Sequence, residues 1–116
     1  MTSEMTALKA AEILNDKKAE EIKVLDVRGL TGIGDYFVIC SGTSSTHVKA
    51  LCDEVEEKFK EQGIQLHHVE GYSGATWILM DFGAVIIHIF DHESAGFYNL
   101  ERLWGDAAHL DLSHLK

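Results

Sequence analysis

The sequence predicts a single α/β domain, with a mixed β-sheet of about five strands and helices packed on it. Helix-like and strand-like segments follow one another in the order α-β-β-α-β-β-β-α along 116 residues, and such a mixture is typical of one sheet covered by helices. The chain has no proline and no low-complexity tract to mark a linker, and its length is that of one domain. We therefore expect one domain over residues 1–116, with a tail from about residue 107 to 116 that is loosely held.

The first part of the chain predicts one helix and two strands. Apolar residues recur at roughly helical spacing after two candidate N-caps, Thr2 and Ser3, which predicts a helix from about residue 3 to 19. The segment IKVLDVRGL, residues 22–30, is rich in β-branched residues and is ended by a glycine, which is typical of a strand. After the loop TGIG, the segment DYFVICSG, residues 35–42, predicts a second strand that stops at its glycine.

The segment TSSTHVKALCDEVEEKFKEQG, residues 43–63, carries the clearest helical pattern. Ser44 or Ser45 can cap its first turn, and Gly63 is placed for the left-handed turn that ends many helices. Apolar residues at helical spacing form a single stripe that we expect to face the core: Val48, Leu51, Cys52, Val55 and Phe59.

The remaining segments complete the predicted sheet. IQLHHVEG, residues 64–71, is typical of a third strand. ATWILMD and AVIIHIF, residues 75–81 and 84–90, predict a hairpin that turns at Phe82–Gly83. HESAGFYNLERLWGDA, residues 92–107, is expected to close the domain as one or two short helices.

The composition favours a cytoplasmic domain with a basic macromolecular partner. Ten Lys and Arg residues face nineteen Asp and Glu residues, which gives a formal net charge of −9. Direct nucleic-acid binding is disfavoured, because phosphate backbones are bound through clustered basic side chains, whereas an acidic domain suits a basic partner. The sequence has neither an apolar run of about 18 residues nor a secretory signal pattern, so no membrane association is expected. Cys40 and Cys52 are expected to be buried, reduced thiols.

Three patterns that could carry chemistry lack the partners that the chemistry needs. The loop SGTSST joins a strand to a helix N-terminus, where backbone amides can hold an anion. Nucleotidyltransferases follow such a loop with two metal-binding carboxylates on the next strand, and these are missing here. The loop is therefore interpreted as a capped helix after a tight turn, with a degenerate nucleotidyltransferase using Gly42 to Ser45 as the competing hypothesis. His67 and His68 point to opposite faces of a strand, and neither cysteine has a recognisable base beside it. We expect no enzyme activity, no metal and no cofactor.

Alternation divides the predicted hairpin into two faces. One face is aliphatic and is expected to lie in the core: Ile78, Met80, Val85, Ile87 and Ile89. The opposite face mixes aromatic, aliphatic and polar residues: Trp77, Leu79, Asp81, Ile86, His88 and Phe90. This second face is either covered by a helix or exposed as an interaction surface, since aromatic anchors beside charges are the composition of a binding hot spot. A bulge in the turn would exchange the two faces of the second strand.

Three separated blocks resemble the ribosomal silencing factor, or Iojap-like, family. They are VLDVRGL-x4-DYFVICSGTSSTHVKAL, EG-x5-WILMDFGAVIIHIF and FYNLERLWGDA, and the resemblance runs from about residue 4 to 108. It implies a nucleotidyltransferase-like α/β fold without the catalytic carboxylates, which agrees with the missing metal ligands. It also implies a translational repressor that binds protein fourteen of the large ribosomal subunit and sterically blocks joining of the small subunit under nutrient limitation. Organellar relatives act in large-subunit assembly, an alternative that would use the same surface.

The resemblance further implies which residues bind the partner: Trp77, Ile78, Met80 and Asp81 on the tryptophan strand, His88 on the next strand, and Asp35 and Tyr36 on the aspartate–tyrosine strand. For Ile78 this implication conflicts with the alternation, which turns the side chain inward. The family commonly has an acidic residue at the position of Ala84, and an arginine and often an acidic residue where this chain has Ala95 and Gly96. The family includes dimers, and a homodimer through the Trp77 face would compete with ribosome binding.

Overall fold

Two helices and six strands make up the part of the chain that the computed structural model describes, which is residues 2–30, 32, 34–92, 100 and 105–115. The helices are α1 (Ser3–Asp16) and α2 (Ser45–Glu61). The strands are β1 (Glu20–Asp26), β2 (Tyr36–Gly42), β3 (His68–Glu70), β4 (Trp77–Asp81), β5 (Val85–Asp91) and β6 (Ala108–His109). The predicted α/β class with a mixed sheet is confirmed, with one strand more than expected.

The six strands form one sheet in the order β3-β4-β5-β2-β1-β6. β2 and β5 are parallel neighbours at its centre, with Tyr36 opposite Val85 and Gly42 opposite Asp91. The other neighbouring strands pair antiparallel. Every residue of β2 is buried, and so is every residue of β5 except Asp91, as is typical of strands covered on both faces.

Both helices pack on one face of the sheet, which we call the helix face. The predicted stripe of α2 is confirmed, because all five of its residues are buried there together with the aliphatic side of the β4–β5 hairpin. Burial of this apolar surface is the main source of stability for the fold. The opposite face of the sheet, which we call the far face, carries a second and smaller buried cluster: Leu25, Val27, Phe37, Ile39, Ile86 and Phe90.

The β4–β5 hairpin turns one residue later than expected. The backbone N–H of Phe82 donates to the carbonyl oxygen of Val85 (3.0 Å), so Gly83 and Ala84 form the turn, and Gly83 has a φ of +90°. Asp81 therefore lies opposite Ile86 instead of Ala84, a shift of two residues in the pairing. Because side chains alternate with a period of two, this shift leaves both predicted faces of the hairpin unchanged.

Both helices end in the same hydrogen-bonding motif with different residues at its left-handed position. After α1, the N–H of Lys18 donates to Asn15 and that of Ala19 to Leu14, both at 3.0 Å. After α2, the N–H of Gly63 donates to Lys60 (3.1 Å) and that of Ile64 to Phe59 (2.9 Å). These are the paired bonds of a Schellman motif. The left-handed residue is Lys18 (φ +65°) in the first case and Gly63 (φ +75°) in the second, so the predicted role of Gly63 is confirmed.

Substitutions at these two positions are expected to change the free energy of unfolding in opposite directions. Gly63→Ala should lower the free energy of unfolding by about 1 kcal/mol, since a side chain other than glycine is strained at positive φ. No atom lies within 4 Å of a Cβ at Gly63, so the cost is conformational and not steric. Lys18→Gly should raise the free energy of unfolding by about 0.5 kcal/mol for the same reason. Urea denaturation of the two variants measures both changes, and two changes of equal sign would contradict the argument.

The ends of several elements differ from the expectations. The first helix stops at Asp16 and β1 begins at Glu20, so the expected helix was too long and the expected strand began late. Thr2 is the N-cap of α1 and Ser44 that of α2, and each accepts a bond from the N–H three residues on. The third strand is only three residues long. The short helices expected between residues 92 and 107 fall on a segment most of which lies outside the described residues.

The C-terminal tail, which was expected to be loosely held, pairs with the sheet and packs against the core in this structure. Ala108 and His109 pair with Asp26 and Leu25 of β1, and the N–H of Leu110 donates to the carbonyl oxygen of Val24 (2.9 Å). The leucines of the segment HLDLSHL pack against the core on the helix face: Leu110, Leu112 and Leu115. Burial of these leucines and pairing with an otherwise open strand edge hold the tail in place.

Candidate partner-binding site

The loop between β2 and α2 is filled by the side chain of His47. The N–H of Thr43 donates to Nδ1 of His47 (3.0 Å), and Nε2 of the same ring lies 2.9 Å from the carbonyl oxygen of Lys17. Nδ1 therefore accepts and Nε2 carries the proton, which joins the start of α2 to the end of α1. A Cβ at Gly42 would lie 2.9 Å from a methyl group of α2. Packing thus accounts for the glycine, and the contacts are those of a capped helix after a tight turn.

The two thiols are buried in the core and unreactive. Burial raises the pKa of Cys40 far above its ordinary range and that of Cys52 to about 12. Neither side chain therefore forms a thiolate near neutral pH, which is the species that attacks an electrophile. The described residues contain no group of three or more His, Cys, Asp or Glu that could hold a metal ion. None of the helices in the same part of the chain has the length and apolar character that a membrane crossing requires.

Trp77 is a large, partly exposed side chain on the far face. It is the first residue of β4, is 36% exposed and lies opposite Phe90 of β5. The loop before it is tightly wound: the N–H of Ala75 donates to Gly71 (3.0 Å), and Asp91 donates to the carbonyl oxygen of Thr76 (3.0 Å). These bonds fix the backbone that carries the tryptophan into the strand.

The indole of Trp77 rests on a cluster of buried rings. Its centroid lies 5.1 Å from that of Phe90 and 5.9 Å from that of His88, and the imidazole lies 4.7 Å from the ring of Phe37. Such tilted arrangements at these distances are favourable for aromatic pairs. Trp77 therefore presents one side to solvent while its other side is supported by the core of the far face.

His88 is held inside this cluster as a neutral imidazole. Its side chain is only 3% exposed, and burial lowers the pKa of His88 to about 4. The indole Nε1–H of Trp77 donates to Nδ1 of His88 (3.1 Å). Because an indole nitrogen only donates, Nδ1 must accept and the proton must lie on Nε2. Among the described residues this Nε2 has no hydrogen-bond partner.

Two acidic side chains share the face of the exposed tryptophan near the edge of the sheet. His68 lies opposite Asp81 and Glu70 lies opposite Leu79 in the β3–β4 pairing, which places these side chains on the same face as Trp77. Oε1 of Glu70 accepts a hydrogen bond from Nε2 of His68 (2.9 Å). We call the set Trp77, Leu79, Asp81, His68 and Glu70 the β3–β4 outer surface. Trp77 and Asp81 lie at its two ends, about 13 Å apart along the strand.

Asp81 and Asp35 lie near the tip of the hairpin. Asp81 is half-buried, and its Oδ1 accepts the N–H of Gly83 (2.7 Å), which stabilises the turn. Asp35 is also half-buried, and its N–H donates to the carbonyl oxygen of Ala84 (2.7 Å). Its carboxylate lies 3.5 Å from the hydroxyl of Ser3 at the start of α1. The fold thus brings two of the predicted acidic residues to the same end of the sheet.

Four of the seven residues that the resemblance implied as contacts are buried in the folded domain, and their role in binding a partner stays a prediction. Ile78 and Met80 face the helices with no exposed surface, as the alternation predicted. Tyr36 is buried with the guanidinium of Arg28 5.4 Å from its ring centre, and His88 is buried below Trp77. Trp77, Asp81 and Asp35 keep exposed surface.

The resemblance did not single out Leu79, Glu70 or His68, although all three lie on the β3–β4 outer surface. Leu79 was already on the Trp77 side of the alternation, and it is half-buried on β4, next to the short edge strand β3. Glu70 and His68 share a face in the sequence, as residues two apart in a strand always do. What was missing was the antiparallel pairing of β3 with β4, which sets both beside the tryptophan strand.

The fold and this surface define a class: a small acidic α/β domain that presents a tryptophan and two carboxylates on one face of its sheet. The profile of the family described as ribosomal silencing factor during starvation matches residues 1–116. The chain belongs to the ribosomal silencing factor family. This is a family of ribosome-associated regulators, and its members carry the names of regulators and not of enzymes.

Individual relatives agree with this membership. The ribosomal silencing factor of Bacillus subtilis is 44% identical over 103 residues, which cover 89% of this chain and 87% of that protein. The mouse protein named mitochondrial assembly of ribosomal large subunit protein 1 is 33% identical over 95 residues, which cover 79% of this chain and 42% of that protein. A crystal structure of a protein from Chromobacterium violaceum superposes with a TM-score of 0.84 at 33% identity, covering 90% of this chain and 88% of that one.

Proposed function

We propose that this chain binds protein fourteen of the large ribosomal subunit through the β3–β4 outer surface and sterically blocks joining of the small subunit. The proposed result is lower translation when nutrients are limited, in the cytoplasm, without a cofactor. The observation that carries the proposal is Trp77, which is 36% exposed on a supported aromatic cluster in a chain of the silencing family. Tryptophan is enriched among the residues that dominate binding energy at protein interfaces.

Charge supports a basic protein as the partner. The chain carries a net charge of −9, and Glu70 and Asp81 lie on the same face as the tryptophan. An acidic surface with an aromatic anchor attracts a basic protein surface and speeds their encounter. The same charge disfavours direct binding to ribosomal RNA, whose phosphates repel carboxylates. Blocking needs only the volume of the bound domain, so no reaction is required.

Trp77→Ala is expected to weaken binding to purified large subunits by about 2 kcal/mol or more, which is roughly a 30-fold loss of affinity. The reason is the loss of the anchor ring from the centre of the contact. Co-sedimentation with large subunits measures the affinity, and light scattering after addition of small subunits measures their joining. Met5→Ala is the matched control, because Met5 is 54% exposed on α1, which covers the helix face.

Both variants must show the circular dichroism spectrum of the folded protein for the comparison to hold. Unchanged co-sedimentation of a folded Trp77→Ala variant would mean that the β3–β4 outer surface is not the docking site. An equal loss of affinity for large subunits in the Met5→Ala variant would also contradict the assignment, since binding would then depend no more on the far face than on α1.

A role in large-subunit assembly is the second candidate, and the name of the mouse relative favours it. Both roles use the same surface in this proposal, so variants of Trp77 do not separate them. Sedimentation of lysates from cells that lack the protein does: silencing predicts more joined ribosomes in starved cells, whereas assembly predicts accumulated large-subunit precursors. A homodimer through the Trp77 face would compete with either role, and a free protein that sediments only as a monomer at high concentration would exclude it.

A further inference from the structure

His88 is a buried polar side chain whose hydrogen bond leads to the exposed tryptophan. It lies on β5, one of the two central strands, 4.7 Å from the ring of Phe37 and nearly parallel to that of Phe90. A phenylalanine at this position would fill the same space without burying polar nitrogens. Burying them carries a cost unless they are paired, and Nε2 has no partner among the residues that the structure describes. Packing alone therefore does not explain a histidine here.

The hydrogen bond that Trp77 donates does explain a histidine at position 88. The indole Nε1–H donates to Nδ1 of His88 (3.1 Å), and this acceptor exists only while the imidazole is neutral. The hydrophobic surroundings keep it neutral, since they lower the pKa of His88 to about 4. A ring that is more than a third exposed at one end of a strand would otherwise choose among several rotamers. One directional bond from below selects the orientation in which the indole rests against Phe90.

We infer that His88 is a positioning residue of the docking surface: its Nδ1 holds the indole of Trp77 in the orientation that the partner contacts. This inference rests on the proposed function, because it assigns to His88 the preparation of the Trp77 contact. Ordering a side chain before binding removes that part of the entropy cost from association. His88 thus raises affinity without touching the partner, which reconciles its burial with a role in binding.

Two substitutions separate the hydrogen bond from the packing. In asparagine Oδ1 is bonded to Cγ, as Nδ1 is in histidine, so His88→Asn keeps an acceptor close to the same place. His88→Phe keeps the ring and removes the acceptor. We expect His88→Asn to bind large subunits within about 2-fold of the wild type and His88→Phe to bind about 5- to 10-fold more weakly.

The two variants are expected to rank in the opposite order for stability: His88→Phe should be more stable than His88→Asn, although it binds more weakly. Phenylalanine fills the apolar site and removes a buried nitrogen that has no hydrogen-bond partner in the described part of the chain, whereas asparagine leaves a cavity and brings a buried amide. The thermal midpoint of His88→Phe should therefore exceed that of His88→Asn. A residue with only a structural role would give the same order for binding as for stability, so opposite orders identify positioning.

The indole N–H resonance of Trp77 gives a readout that needs no ribosome. It is assigned in a ¹⁵N correlation spectrum by its loss in Trp77→Phe. We expect slow exchange of this proton with solvent in the wild type and in His88→Asn, and faster exchange in His88→Phe. Equal exchange in the three proteins, or equal affinity of His88→Phe and His88→Asn for large subunits, would overturn the inference.

The two proposals fail in different ways. If Trp77→Ala binds large subunits as tightly as the wild type does, the docking surface is wrong, and the inference about His88 falls with it. If Trp77→Ala weakens binding and His88→Phe does not, the docking surface stands and only the positioning role is lost.

Discussion

Gly71→Ala is expected to lower the free energy of unfolding by about 3 kcal/mol or more. Gly71 has a φ of +80°, and a Cβ built on it would overlap the carbonyl oxygen of Trp77. The left-handed backbone costs roughly 1–2 kcal/mol for a residue with a side chain, and forcing a methyl group into occupied space typically costs another 1–3 kcal/mol. The atom in the way belongs to the backbone, so it cannot move aside by changing a rotamer.

Gly74→Ala is the matched control for this prediction because it lies in the same loop between β3 and β4. No atom lies within 4 Å of a Cβ at Gly74, and its φ is outside the left-handed region. The control should therefore stay within about 0.5 kcal/mol of the wild type, as surface substitutions usually do. Urea denaturation gives both values. Equal stability of the two variants would show that the close approach of Gly71 to Trp77 does not constrain the loop.

Acidification from about pH 7 to about pH 4 is expected to remove roughly 3 kcal/mol of stability through His88 alone. The pKa of this group is near its ordinary value of 6.5 in the unfolded chain, and burial lowers it to about 4 in the folded protein. As pH falls, the unfolded state therefore takes up the proton first, and the equilibrium shifts toward unfolding. The contribution of neutral His88 to the free energy of unfolding is fully present above about pH 6.5, declines between about pH 6.5 and about pH 4, and changes no further below that.

The difference between the wild type and His88→Phe isolates this contribution. All other titrating groups are common to both proteins, so their effects cancel when the free energies of unfolding are subtracted at each pH. The difference should change by about 3 kcal/mol in favour of the variant between about pH 7 and about pH 4. Parallel curves for the two proteins across this range would show that the imidazole is not held neutral by burial.

Sequence alternation predicted which face each hairpin residue occupies, and it did so despite a misplaced turn. Ile78 and Met80 were expected in the core and lie there. The prediction survived because the true turn at Gly83 and Ala84 changed the pairing by two residues, which is the period of the side chains. For Ile78, alternation predicted the buried position that the structure shows.

Exposure on the far face could not be predicted in the same way. Trp77 and His88 lie on one face and were both expected to contact a partner, yet only Trp77 is exposed. The difference comes from the order of the strands: β5 lies beside β2, which brings Phe37 against His88, while β4 is next to the short outer strand β3. The parallel pairing of β2 with β5 joins segments more than 40 residues apart, and no local pattern contains it.

The tail shows a second limit of local patterns. Its leucines were present in the sequence, but a segment of ten residues at a chain end offers too few of them to predict a strand or its partner. The tail is held because Ala108 and His109 pair with the edge of β1. Its leucines pack against the core on the helix face: Leu110, Leu112 and Leu115. Both contact surfaces are built by segments distant in sequence.

The place of β5 in the sheet sets the point in synthesis at which the two halves of the sheet can join. β5 consists of residues 85–91, and it is the strand that joins the β3–β4 pair to the β1–β2 pair. Until those residues have left the ribosome, the two antiparallel pairs have no strand between them, and neither can bury both of its faces. β6, which seals the edge of β1, comes later still, at Ala108 and His109. A nascent chain of this protein therefore cannot pack Trp77 against Phe90 and His88 before the residues of β5 have emerged from the ribosome.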